Sequence, residues 1–302
     1  MKILIVGLGV QGKKRKKLLS KKFFFGSVDK KREDADFAKI EDVPLKKYDS
    51  VFICTPDSQK LKILKYCIKH NKHVLVEKPL IANSNIKITE LEKKANKAKL
   101  VLYTAYNHRF EPHFKKIKKI IDSKVLGKIY YCHILYGNGT AKLVKKNEWR
   151  DKGLGVIQDL GPHLIDTIKF WFEKNFQFKN LVKNRFENKS PDHGIFYLKK
   201  NKFFLKLEMS LCMWKNTFRC DIIGSKGSVH MDGLCKWGPS LLRLLKRKFP
   251  SGLPQEKKYL IKSKDPTWEE EHKYFFNLVR LKKKNDLSKD KWINKSLRKI
   301  AI

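Results

Sequence analysis

The chain has 302 residues, with 69 Lys or Arg against 30 Asp or Glu and a formal net charge of +39. An apolar fraction of 41% with 12% aromatics can build a core and excludes an intrinsically disordered chain, and the length favours two domains. The longest apolar runs fall far short of the roughly 20 residues of a membrane span, and only 10 of the basic residues are Arg. Surfaces that read phosphates lean on the forked guanidinium, so evenly spread Lys reads as a solvated coat rather than a specific nucleic-acid surface.

Through the first hundred residues, short β-branched runs alternate with longer charged stretches of helical character. This is the pattern of a parallel sheet wrapped by helices. Strands are expected at 2–6, 24–28, 50–54, 73–76 and 100–104, with helices at 12–20, 57–70 and 85–97 and only a turn of helix between 29 and 44. After a helix at 111–123 the texture changes to alternating strands at 128–135, 194–198, 202–208, 218–223 and 228–231. A helix at 162–172 interrupts them and the acidic 268–281 segment closes the unit. The leucine-rich basic run 241–248 reads as one arm of a hairpin turning at Pro250, Ser251 and Gly252 rather than as a membrane-surface helix. The expected division is a dinucleotide-binding α/β domain over 1–122 and an α+β domain over 123–302. Six scattered cysteines without a CxxC pair, and an N-terminus that puts its apolar run before its charges, point to a reduced cytoplasmic protein without disulfides or zinc.

GLGVQG, from Gly7 through Leu8, Gly9, Val10 and Gln11 to Gly12, follows the first strand and opens a helix. Gly7 permits the tight turn, Gly9 lets a pyrophosphate approach the backbone, and Gly12 lets helix and strand pack closely. The free N–H groups of the helix start supply positive potential for phosphates. Asp29, at the end of the second strand, would accept hydrogen bonds from the adenosine ribose and favours NAD over NADP, while Lys30, Lys31 and Arg32 could hold a 2′-phosphate. The basic run 13–17 competes for this field and reads as ordinary helix-surface charge. Cys54, Thr55 and Pro56 end the third strand beside the same edge, where Cys54 packs rather than reacts.

Glu77 and Lys78 stand at the carboxyl end of the fourth strand, the edge where open α/β sheets hold ligands, and Pro79 keeps Lys78 extended. In WRDKGLGVIQDLGPHLID, from Trp149 to Asp166, Asp159 and His163 are four apart. Gly161 and Pro162 suit a helix start. His163 then lies at the positive end of that helix, which disfavours its protonation and keeps a base available, with Asp159 in reach to fix its tautomer. Taken alone, these residues read rather as Asp159 capping the helix and His163 packing beneath the loop.

Taken together, GLGVQG, the Lys of EKP, YNHRFEPHF after the fifth strand, and WR followed by DLGPHLID resemble the glucose–fructose oxidoreductase and inositol dehydrogenase (Gfo/Idh/MocA) family, in order over somewhat more than half the chain. The resemblance implies a Rossmann doubly wound parallel sheet followed by an α+β domain with an open-faced, mostly antiparallel sheet. NAD(P) and a sugar-like substrate meet between them in that family. By the same resemblance Lys78 orients and polarises the reacting hydroxyl, His163 takes its proton, and Asp159 supports the histidine or binds substrate. A homodimer or homotetramer through the open sheet is also implied.

One departure stands out. After Thr55 and Pro56 the family commonly has His where this chain has Lys60. YGNGTAKLV at 136–144 and KWGPS at 236–240 resemble versions found in bacterial surface-polysaccharide enzymes. Asn107, Arg109, Trp149 and Arg150 are expected substrate clamps beside Lys78, Asp159 and His163, and the two forked arginines favour an anionic sugar such as a nucleotide-diphosphate sugar. The expected function is a cytoplasmic NAD-dependent sugar dehydrogenase or reductase. The alternatives are a glycoside-cleaving enzyme that uses NAD transiently and a non-enzymatic NAD- or polyanion-binding protein.

Overall fold

The structure is a computed structural model that describes residues 1–146, 150–173 and 176–301. The chain divides into two compact units. One comprises Met1–Asn107 with Trp268–Lys295, and the other His108–Thr267 with the last residues from Ser296. This differs from the expected division at 122/123 in two respects: the helix after residue 110 belongs to the second unit, and the closing helix returns to the first.

In the first unit the elements run β1 (Ile3–Val6), α1 (Val10–Leu18), β2 (Phe24–Val28), β3 (Ser50–Ile53), α2 (Asp57–Lys69), β4 (His73–Glu77), α3 (Asn85–Lys97) and β5 (Leu102–Ala105). The strands pair in parallel in the order β2-β1-β3-β4-β5. Strands β1, β3 and β5 are buried throughout, and β2 and β4 beyond their first residues, as a sheet covered on both faces requires. Successive residues point to opposite faces. Leu4, Val6, Val51, Ile53, Val74 and Val76 join a core with Leu64 and Cys67 of α2 and Ile88 and Leu91 of α3. Ile3, Ile5, Phe52 and Leu75 join the other core, which is completed by Phe275 from the distant C-terminal segment. Helices therefore cover both faces, as a doubly wound sheet demands. Between β2 and β3 there are only two short 3-10 turns, Ile40–Asp42 and Leu45–Lys47.

The second unit contains α4 (Pro112–Asp122), β6 (Ile129–Gly137), α5 (Ala141–Lys145), α6 (Val156–Asp159), α7 (Gly161–Phe172), β7 (Gln177–Asn184), β8 (His193–Lys200), β9 (Phe203–Ser210), β10 (Thr217–Gly224), β11 (Gly227–Asp232), β12 (Ser240–Lys246) and β13 (Gln255–Ile261). Its eight strands pair in the order β13-β12-β11-β10-β6-β9-β8-β7, antiparallel except for β6 against β9. Cys132, Ile134 and Tyr136 of β6 and Leu205, Leu207 and Met209 of β9 are buried. On the alternate positions Tyr131 sits opposite Phe204, and both are about half exposed. Strands β12 and β13 form the expected hairpin. Helices α8 (Thr267–Arg280) and α9 (Ser288–Ala301) complete the chain. No helix among the described residues is long and apolar enough to cross a membrane. All six cysteines are free thiols.

Candidate active site

The glycine loop runs from β1 into α1 as the motif predicts. The helix begins at Val10, two residues earlier than expected, with Gly9 as its N-cap, no side-chain cap and no acidic residue in its first turn. Gly7 has φ +96°, and a Cβ there would stand 2.8 Å from the Cys54 carbonyl carbon and oxygen; one on Gly12 would run into the Gly7 carbonyl. A Cβ on Gly9 would meet nothing within 4 Å. Two glycines thus allow close backbone packing, while the third leaves open space over uncapped helix N–H groups, and this cradle fits a pyrophosphate. Asp29 accepts the Leu8 N–H at 2.7 Å and the Lys31 N–H at 2.9 Å, so it is fastened to the loop it was expected to serve. Lys30, Lys31 and Arg32 are exposed beside it.

Cys54, Thr55 and Pro56 follow β3 directly, against Gly7. Burial pushes the Cys54 thiol up to about 12, in keeping with a packing role. Glu77 ends β4, and Lys78 and Pro79 follow, joined by a cis peptide.

Two features of this unit were missed. Lys60 is almost fully buried on α2; its Nζ donates to Asp57 Oδ1 at 2.6 Å and to the carbonyls of Lys78 and Pro79 at 3.1 Å each. It therefore holds the backbone that carries Lys78, and its burial lowers its pKa against the pull of Asp57. The only sequence signal was its departure from the family's usual His. Arg15, inside the basic run assigned to the helix surface, is fully buried. Its Nε donates to Glu77 Oε1 at 2.6 Å, one Nη to Glu271 Oε2 at 2.8 Å, and the other lies 3.0 Å from His272 Nε2. An arginine has no proton acceptor to offer, so His272 must accept there and stay neutral on Nε2. Burial, and then Arg15, push its pKa down to about 3.

The second unit carries its own group of candidate residues. Gly161 and Pro162 open α7 as expected, which places the buried His163 in its first turn. Its ring stacks on that of His108, with centroids 4.2 Å apart and an interplanar angle of 20°. His108 sits on the 3-10 turn Asn107–Phe110, and Tyr136 of β6 packs against both rings at 5.3 and 6.1 Å. Lys236, on the turn Cys235–Trp237, donates to Tyr136 Oη at 3.0 Å and lies 3.5 Å from His108 Nε2.

The expected clamps divide. Arg109 makes a two-pronged pair with the buried Asp166, at 2.8 and 2.7 Å, and Arg150 pairs with Asp159 Oδ2 at 3.0 Å. Both arginines thus hold the protein's own carboxylates. Asn107 is buried in the first unit, and Trp149 lies outside the described residues. Lys236 and His108 went unassigned in the sequence because their partners come from elements far apart in the chain.

Comparison with known proteins follows this division. Residues 1–106 match the model of an oxidoreductase family with an NAD-binding Rossmann fold, and residues 114–230 match the GFO/IDH/MocA C-terminal domain. Oxidoreductase P35 of Formosa agariphila is 25% identical over 190 residues, which covers 60% of this chain and 58% of that protein. Glucose-6-phosphate 3-dehydrogenase of Bacillus subtilis is 30% identical over 176 residues, covering 52% and 49%. The chain thus spans less than two thirds of the length of these relatives. Among solved structures, UDP-N-acetylglucosamine 3-dehydrogenase GnnA from Acidithiobacillus ferrooxidans superposes with a TM-score of 0.81 at 17% identity, covering 100% of this chain and 97% of that one, a likeness of fold. With matching family models in both units, the chain belongs to the GFO/IDH/MocA oxidoreductase family, and its first unit carries that family's NAD-binding Rossmann fold.

Proposed function

We propose that the protein is an NAD(P)-dependent dehydrogenase or reductase that moves a hydride between nicotinamide and a secondary alcohol or ketone of a sugar or nucleotide sugar. The observation that carries this reading is Lys78, whose carbonyl is held by the buried Lys60 at the carboxyl edge of the same sheet as the glycine cradle. The cofactor, when bound, supplies the hydride acceptor or donor. Gly7, Leu8, Gly9, Val10, Gln11 and Gly12 would hold its pyrophosphate, Asp29 and Lys30 its ribose end, and Cys54, Thr55, Pro56 and Glu77 the edge beside it. Asp29 favours NAD, since its carboxylate would repel a 2′-phosphate. Lys78 is assigned to orient and polarise the reacting hydroxyl, and His163, in the first turn of α7, to take its proton. Asp159 and Arg150 support that site as a pair. The half-exposed aromatics Tyr131 and Phe204 on one face of the second sheet favour a homodimer or homotetramer. A cytoplasmic role in surface-polysaccharide biosynthesis is part of the same reading.

The test is a titration with NADH and then NADPH, following energy transfer from tryptophan to nicotinamide at low and high salt. Micromolar NADH binding that survives high salt is expected, with NADPH weaker. Binding that vanishes with salt would mean that the lysine coat outweighs the cradle and would overturn the reading in favour of a polyanion-binding protein.

A further inference from the structure

Two segments singled out in the sequence, 136–144 and 236–240, meet beside His163. Tyr136 comes from the middle sheet strand β6, Lys236 and Trp237 from the turn after β11. The Lys236 ammonium has three hydrogens to donate. One goes to Tyr136 Oη at 3.0 Å and one points at His108 Nε2 at 3.5 Å. An ammonium only donates, so Tyr136 Oη is the acceptor in the first of these contacts. Among the described residues no third acceptor and no carboxylate within ion-pair distance of Lys236 is found. Glu111 feels its charge, yet that carboxylate receives the Cys235 thiol at 2.8 Å.

The contrast with its neighbours is informative. Arg109 is neutralised by Asp166 and Arg150 by Asp159, whereas the half-buried Lys236 is left with a positive charge and a spare donor. It stands over aromatic surface, 4.5 Å from the Trp237 ring centroid and 5.2 Å from that of Tyr136, and the two rings are 5.7 Å apart. The half-buried Trp237 ring, tilted 47° to the buried Tyr136, can take the apolar C–H face of a pyranose ring, and a lone ammonium at its border suits an anion on that ring.

We propose that Lys236, set over Tyr136 and Trp237, selects a negatively charged substituent, carboxylate or phosphate, on the substrate handled by His163. The proposal rests on the reading of His163 as the base and adds what kind of sugar that site takes. It moves the recognition of charge from the two arginines to a lysine.

Matched ligands test it, measured by calorimetry on protein saturated with NADH, in about 0.15 M salt to screen diffuse charge. The probes are glucose, glucuronate, glucose 6-phosphate and UDP-glucose, the last three placing the anion on the ring carbon chain, on an ester or in a diphosphate. At least one anionic probe is expected to bind ten or more times tighter than glucose. Lys236→Met is expected to erase that margin while glucose, NADH and the melting temperature are unchanged, and Lys236→Arg to restore part of it. The anion source follows from which probe loses most. Three outcomes overturn the proposal: no anionic preference in the native protein, a preference that survives in Lys236→Met, or equal weakening of glucose and the anions, which would mark a merely structural lysine. Failure of the parent reading would appear separately, as absent NADH binding in the native protein.

Discussion

The two units carry their candidate chemistry in opposite ways. In the nucleotide unit the groups stand at the ends of β1, β2, β3 and β4, and each strand end is marked by a short contiguous motif. In the second unit His108, Tyr136, His163 and Lys236 come from a turn, a strand, a helix and another turn, and nothing local in the sequence joins them. The handling of charge differs as well. The nucleotide unit buries Arg15 against two carboxylates, whereas in the other unit Lys236 has none within ion-pair distance among the described residues. Buried charge with its partners inside serves architecture; charge left without a partner at a half-open surface is available to a ligand.

Substitutions in each unit put this difference to the test. The largest effect is expected from the proposed chemical groups themselves. Lys78→Ala and His163→Ala should each lower turnover by about 10²–10⁴, the usual range for a lost acid–base group, with NADH affinity within a few fold of native. Turnover surviving in both would remove the site assignment. Next comes Arg15→Met, which strands Glu77 and Glu271 and should cost about 3–5 kcal/mol in a denaturant melt. Adding Glu271→Gln should recover part of that, and a loss under 1 kcal/mol would mean that the cluster is not the architectural element described.

The smallest effect is a pH dependence. His272 is neutral in the folded state with its pKa lowered to about 3, while the unfolded value is near 6.5. The unfolded chain therefore binds more protons between these values, and stability falls as pH drops through 6.5 towards 3. From pH 7 to pH 5 the His272 contribution is about 2 kcal/mol by linkage. Burial raises the Glu271 carboxyl, which works in the opposite direction. His272→Gln keeps an acceptor for Arg15, so its melting temperature should fall less steeply with acid than that of the native protein. Identical slopes would remove His272 from the account.

Apolar runs bounded by turn residues located β1 to β5 to within two residues, because a doubly covered parallel strand leaves a continuous signature. Strand β7 was missed, being a sheet edge with mostly half-buried or exposed positions and no clear alternation. Helix α9 was missed because its buried face carries Asp290, Asn294 and Ser296 beside Ile293 and Leu297. Arg15 was hidden among lysines whose average behaviour is solvation; its guanidinium was the only local hint of a bidentate partner. The places of the loop glycines, Lys78 and His163 in the fold were legible because a tight turn, a strand end and a helix start each leave a local mark. The His108, Tyr136 and Lys236 cluster exists only once the second sheet has formed.

The first unit is discontinuous, and this bears on how the chain matures. Residues 1–107 can form all five strands, but the sheet face lined by Ile3, Ile5 and Phe52 waits for Phe275, and Arg15 waits for Glu271. During synthesis from the N-terminus, the whole intervening unit emerges before that cap does. The nascent nucleotide unit therefore passes through an interval with one sheet face open and a guanidinium that holds only one of its two carboxylates, and its final closure is a long-range step set by loop-closure entropy rather than by local helix formation.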